Sequence, residues 1–159
     1  AQAVGRSGTL AAGDLVAFTV RSTAGGPTCL VASFHGDTNG LQTAPVMAAL
    51  HDHAAEASPR LRLVCGMDAN THLDPRGKED PARTYMVERF ASDCANLGLK
   101  SCWPEGTPWD ECLTTYSART YLQPQLNKAR RFADMATGGD CNPKDHIIFF
   151  SDDLVPSDC

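Results

Sequence analysis

Leu63-Val64-Cys65-Gly66-Met67-Asp68-Ala69-Asn70-Thr71-His72 is the stretch on which the fold reading turns. A short apolar run stops abruptly at Asp-x-Asn, so a carboxylate and a carboxamide project where a buried strand ends. Strand ends hold side chains on rigid backbone while the adjoining loops stay open to solvent, which is why sheet-based sites gather there. An aspartate beside an amide offers oxygen donors for a hard cation and a way to orient water. Taken alone, Asp-x-Asn also suits an ordinary turn. Its neighbours along the chain decide between the two.

Upstream, Leu15–Val20 and Cys29–Phe34 read as two strands. Ser22-Thr23-Ala24-Gly25-Gly26-Pro27 between them is hairpin-loop chemistry. The second strand runs into His35 and then the polar, glycine-bearing loop Gly36-Asp37-Thr38-Asn39-Gly40. Val46, Met47, Leu50 and Ala54 recur at helical spacing and predict a helix over Ala44–Ala55, with Pro45 tolerated in its first turn. Leu61–Met67 is the next strand. Tyr85, Met86, Phe90, Cys94 and Leu97 line one face of a second predicted helix, Ala82–Leu97. Trp103–Trp109 holds two prolines and a glycine and reads as a loop. Thr120–Phe132 contains Lys128-Ala129-Arg130-Arg131, a solvated basic face or short helix, or alternatively a phosphate-binding patch. Asp145-His146 precedes a last apolar strand, Ile147–Phe150. Hairpin pairing followed by alternating helices and strands predicts an α+β domain of mixed layers.

The bulk properties set bounds. A chain of 159 residues, 42% hydrophobic and 21% charged, suits one globular domain. No apolar run approaches the roughly 18–20 residues of a spanning helix. Fourteen Lys and Arg face 19 Asp and Glu, a formal net charge of −5, which disfavours wholesale binding to a polyanion. A local groove with a bound cation is compatible with that total. The phosphate-cradling G-x-x-x-x-G-K-[ST] and G-x-G-x-x-G loops are absent, as is the G-x-S-x-G elbow. Seven cysteines (Cys29, Cys65, Cys94, Cys102, Cys112, Cys141 and Cys159) contain no Cys-x-x-Cys pair. Their scatter favours disulfides in an oxidising compartment, extracellular or an organelle lumen, and the odd count leaves a free thiol or a bond to another chain. Cys65, inside an apolar run, also reads as a small buried hydrophobe.

Three polar groups thus sit at the ends or mouths of apolar strands, in the order Phe34-His35, Cys65-Gly66-Met67-Asp68-Ala69-Asn70 and Lys144-Asp145-His146-Ile147. This order resembles the endonuclease/exonuclease/phosphatase superfamily, the deoxyribonuclease I-like fold. There, a strand ends in His before a helix, another ends in Gly-Asp-Phe-Asn or a relative of it, and a later one carries Asp-His-Ile or Asp-Arg-Ile. In this chain Met67 intervenes between Gly66 and Asp68, and Ala69 stands in place of the usual aromatic. The resemblance spans about residues 10 to 155 and implies a four-layer α/β/β/α sandwich, of which this chain is the C-terminal half. It implies hydrolysis of a phosphoester by in-line attack of water. His35 would contact the scissile phosphate and assist the leaving oxygen, and Asp68 and Asn70 would orient water and phosphate. Asp145 would help hold the phosphate and a catalytic histidine; His146 stands at a variable position. The implied metal is Mg²⁺, with Ca²⁺ or Mn²⁺ as substitutes, at Asp68 and Asn70.

The family's N-terminal Asn and metal-binding Glu have no counterpart before His35, where Asp14 is the sole acidic residue and precedes a strand. The terminal Ser-Asp-His motif is missing too: Ser157-Asp158-Cys159 has its first two residues, with Cys in place of His. A half sandwich leaves one face of its apolar strands open. The expectation is therefore a missing N-terminal segment or partner chain that covers that face, with nucleic acid or another phosphoester as substrate. Two alternatives stay open: a non-catalytic structural or binding subunit that keeps the fold, and an unrelated secreted disulfide domain.

Overall fold

The computed structural model describes residues 10–11, 13–74, 83–115 and 141–154. Strands β1 (Leu15–Arg21) and β2 (Thr28–His35) form the expected antiparallel hairpin. Helix α1 (Thr43–Glu56) then crosses over to β3 (Arg62–Asp68), which pairs parallel with β2. Helix α2 (Val87–Asn96), β4 (Leu99–Ser101) and β5 (Asp145–Phe150) complete the described elements. The five strands make one mixed sheet in the order β1-β2-β3-β5-β4. The fold class is α+β, as the element order predicted.

Strand alternation sorts the side chains between two faces. Leu30, Ala32 and Phe34 of β2, Leu63, Cys65 and Met67 of β3, and Ile148 and Phe150 of β5 are buried together with Met47, Leu50 and Ala54 of α1 and Phe90 and Cys94 of α2. That is the core, and it lies on the helix-covered side. Cys65 is fully buried in it, as the apolar run suggested. The opposite side has no helix over it among the described elements. Val16, Phe18 and Val20 of β1 lie opposite Ser33, Val31 and Cys29, and Ile147 of β5 lies opposite Gly66. Phe18 is 54% and Ile147 49% exposed, with Val16 and Val20 similarly open. This is the open apolar face expected of half a sandwich. A sandwich itself requires a second sheet, and the described residues form a single sheet.

Three boundaries differ from the sequence reading. Helix α2 starts at Val87, whereas the apolar spacing extended it back to Ala82, a residue outside those described. Tertiary pairing overrides the helical pattern there. His72 N–H donates to Tyr85 O (3.1 Å) and Val87 N–H to His72 O (3.0 Å), while Tyr85 N–H donates to Asn39 O (2.8 Å). Met86 is accordingly extended, with ψ 145°. Second, Asp145 and His146 belong to β5 and do not precede it, because both pair with β3. Third, β4 has only three residues and gave no periodic signal. The basic run at Lys128–Arg131 lies outside the described residues.

Helix ends follow local chemistry. Gly98, at φ +63°, takes the left-handed position just past α2 and donates to Ala95 O (3.1 Å). Tyr85, buried against Phe90, donates its hydroxyl to Asp93 Oδ2 (2.7 Å) and so fastens α2 to the turn after β3.

Candidate functional site

The ladder registers place the site. In the parallel pair β2/β3, His35 aligns with Asp68; in the antiparallel pair β3/β5, Asp68 aligns with Asp145. Residues directly opposite one another share a face. His35, Asp68 and Asp145 therefore form one transverse row at the same end of the sheet, on the open side. His35 Nε2 lies 3.6 Å from Asp68 Oδ2. Asp68 and Asp145 line a shallow hollow of about 450 Å³ together with Ser33, Gly66, Cys102, Trp103, Thr114 and Ile147.

Asn70 is not in the row but behind it. It adopts the left-handed conformation, φ 48°, and is buried. Its N–H donates to Asp68 Oδ1 (3.0 Å), an Asx-type turn that fixes the carboxylate, and its Nδ2 donates to Gly36 O (3.0 Å). Gly36 N–H in turn donates to Asp68 O (2.8 Å), extending the β2/β3 pairing one step past His35. The Thr43 hydroxyl, in the first turn of α1, donates to Ala69 O (2.8 Å). Asp37 organises the preceding loop by accepting from Asn39 N–H and Gln42 N–H. All four residues singled out from sequence thus converge on the end of β3.

Electrostatics mark Asp68. Partial burial raises the pKa of its carboxyl from the ordinary value, and the neighbouring Asp145 charge adds to the rise. The Asn70 N–H, His35 and Lys144 pull the other way. Two carboxylates in register are eased by a cation between or beside them. Their oxygens, with the Asn70 carboxamide, are hard donors of the kind Mg²⁺ and Ca²⁺ prefer, and Mg²⁺ keeps several waters of its own. Among the described residues no group of three or more His, Cys, Asp or Glu side chains is arranged to hold a metal. The donor type is one a divalent cation takes, and the described residues by themselves do not assemble a metal site.

Sequence reasoning missed Thr71 and assigned His146 no role. Thr71 is fully buried; its hydroxyl donates to Pro143 O and lies 3.1 Å from His146 Nε2. The His146 ring is buried against Phe90 (centroids 4.2 Å) and near Trp109 (6.1 Å). Burial pushes its pKa down to about 4. Position 146 alternates to the helix side of the sheet, where a histidine has no access to substrate. The signal available was that alternation: with Asp145 on the open face, its neighbour must point inward.

The cysteines follow their environments. No disulfide joins two of the cysteines among the described residues, so the framework expected from their count has no support there. Burial pushes the Cys65 and Cys94 thiols up to about 12.

No protein-family model and no curated protein matches the sequence. Among solved structures, the chain is similar to the endonuclease domain of TRAS1, a telomere-specific non-LTR retrotransposon, with a TM-score of 0.46 and 16% identity over 87% of this chain. The chain spans about half of that structure, 51% of its length. Among the described residues no helix is long and apolar enough to cross a membrane.

Proposed function

We propose that this chain forms half of a divalent-cation-dependent phosphoester hydrolase, a nuclease or phosphatase of the endonuclease/exonuclease/phosphatase type. The observation that carries the reading is the row His35–Asp68–Asp145 on the open face of the sheet. In-line hydrolysis needs a water held opposite the leaving oxygen and donors for the charge that builds on the phosphoryl group. Asp68, its Oδ1 fixed by Asn70 N–H, is set to orient the water through Oδ2. His35 is largely exposed and stands beside it, placed to donate to the phosphate or the leaving oxygen. Asp145 closes the row and orients the phosphate-binding group opposite. Asp68 and Asn70 are the residues that would hold Mg²⁺, with Ca²⁺ or Mn²⁺ as substitutes. When bound, the cation supplies charge neutralisation at the phosphoryl oxygens and a more acidic water.

The remaining donors come from elsewhere in this reading. A second sheet, in the same gene product or in a partner chain, packs on the face that exposes Val16, Phe18, Val20 and Ile147 and brings the missing acidic and amide side chains to the row. Sheets pack about 10 Å apart with interdigitated side chains, and a continuous apolar face is what such packing needs. A non-catalytic subunit is the second reading, favoured by the incomplete set of cation donors among the described residues.

One experiment separates the two. The native, full-length gene product is assayed on phosphodiester substrates with Mg²⁺ and with EDTA, beside its Asp68→Ala variant. Mg²⁺-dependent cleavage that the variant loses supports the hydrolase. Cleavage unchanged by Asp68→Ala refutes the site, and no cleavage by the wild-type product on DNA, RNA or small phosphodiesters supports the scaffold.

A further inference from the structure

Beyond the row itself, the structure shows how its two halves are held together; this inference rests on the hydrolase reading. Asp68 and Asn70 belong to the end of β3, Asp145 to the start of β5. Strand ends fray, so a site built across two of them needs ties beyond the ladder. Two come from backbone N–H groups: Ala69 N–H donates to Lys144 O (2.7 Å) and Leu73 N–H to Asn142 Oδ1 (2.9 Å). Between them sits the buried Thr71 hydroxyl.

Its bonding pattern follows from what each partner is able to do. The Pro143 carbonyl only accepts, so the hydroxyl proton points there. The Thr71 oxygen then accepts from His146 in the neutral tautomer protonated on Nε2, and that ring is bonded to the Pro143 carbonyl as well. Nδ1 is left as a buried lone pair without a partner. Phe90 and Trp109 fix the ring plane, so the imidazole cannot swing away. Strand alternation then does the rest: with His146 anchored inward, Asp145 is presented to the open face beside Asp68. Asn70 makes the matching tie on the other side, through Gly36 next to His35.

We propose that Thr71 and His146 are positioning residues, which hold Asp145 in register with Asp68 and Asn70 through the Thr71 hydroxyl without touching substrate. Consecutive residues of one turn, Asn70 and Thr71, thereby lock the β2 side and the β5 side of the row to β3.

The test compares Thr71→Val, which keeps the shape and removes the hydroxyl, with Thr71→Ser, which keeps the hydroxyl. Both are made in the native gene product. They are read by Mg²⁺-dependent cleavage of bis(p-nitrophenyl) phosphate and by amide hydrogen exchange at Ala69. Thr71→Val is expected to lower kcat about 10- to 100-fold with KM within about twofold, as for displacement of a catalytic group. Exchange at Ala69 is expected to quicken by about tenfold in the same variant, because its bond to Lys144 spans the same seam. Thr71→Ser is expected to stay close to wild type in both. Equal losses in Val and Ser would overturn the proposal in favour of simple packing, and so would a Val variant with wild-type kcat and Ala69 exchange. If the wild-type product cleaves nothing, the hydrolase reading fails, and the Ala69 comparison still decides whether the hydroxyl ties the two strands. Should Thr71→Val not fold, His146→Phe keeps the ring packing, removes the imidazole's bonds to Thr71 and Pro143 and is judged by the same readouts.

Discussion

Gly40→Ala is the sharpest test of how the loop after β2 is fitted to the site. Gly40 has φ +71°, a left-handed conformation that costs an L-residue about 1–2 kcal/mol. A Cβ there would also meet Ala69 O at 2.7 Å, Asn70 O at 2.8 Å and Tyr85 Cβ at 2.8 Å. Two of those atoms are backbone oxygens of the turn that carries Asn70, and neither is a flexible side-chain tip. Overpacking of this kind adds about 1–3 kcal/mol. Gly106 is the internal control, with φ +86° and no atom within 4 Å of where an alanine methyl would sit. Gly106→Ala pays the conformational cost alone, and the reduced freedom of the unfolded chain benefits both variants alike. The expected difference between them is thus about 1–3 kcal/mol, or roughly 2–12 °C in melting temperature for a chain of this size. Equilibrium urea unfolding, with m-values compared to verify a common unfolding transition, measures it. Agreement of the two variants within about 0.5 kcal/mol, a spread ordinary for neutral surface changes, would refute the close approach of Gly40 to the Asp68–Asn70 turn.

Two further outcomes follow from buried titratable groups. His146 has a folded-state pKa near 4, below the ordinary histidine value, so the unfolded chain takes up the proton first. Its contribution is full above about pH 6.5 and declines as pH falls toward 4, by on the order of 3 kcal/mol. Urea midpoints at pH 7, 5.5 and 4.5 should show this decline in wild type and lose it in His146→Phe; parallel curves would contradict it. For the thiols, Cys141 is exposed whereas Cys65 and Cys94 are buried with their pKa values pushed up to about 12. Iodoacetamide at pH 8 should alkylate Cys141 in the folded protein and reach Cys65 and Cys94 only after unfolding, as peptide mapping would show.

Much of the architecture was legible in the chain because local patterns carried it. Alternation and the Gly-Gly-Pro loop marked the β1/β2 hairpin, and the Val46–Ala54 spacing marked α1 to within a residue at each end. What misled was local pattern in competition with distant partners. Tyr85 and Met86 fit the helical face of α2, yet the Tyr85 backbone is bonded to Asn39 and His72, and Met86 is bridge-paired with His72. Asp145 and His146 look like a polar mouth before a strand, yet both are paired to β3. Thr71 carries no pattern at all, since one hydroxyl becomes a tie only when Pro143 and His146 arrive from 72 and 75 residues away.

The division between sequence and structure has a physical basis. Sequence by itself determined the elements other than β4, the α+β class and the kinds of side chain left at strand ends, because propensity, periodicity and turn chemistry act over a few residues. Tertiary structure alone decided that β5 inserts between β3 and β4 and that His35, Asp68 and Asp145 share one row on one face. Register is set by hydrogen bonds and burial between segments far apart in the chain, and a slip of one residue would have turned Asp145 into the core and His146 toward solvent.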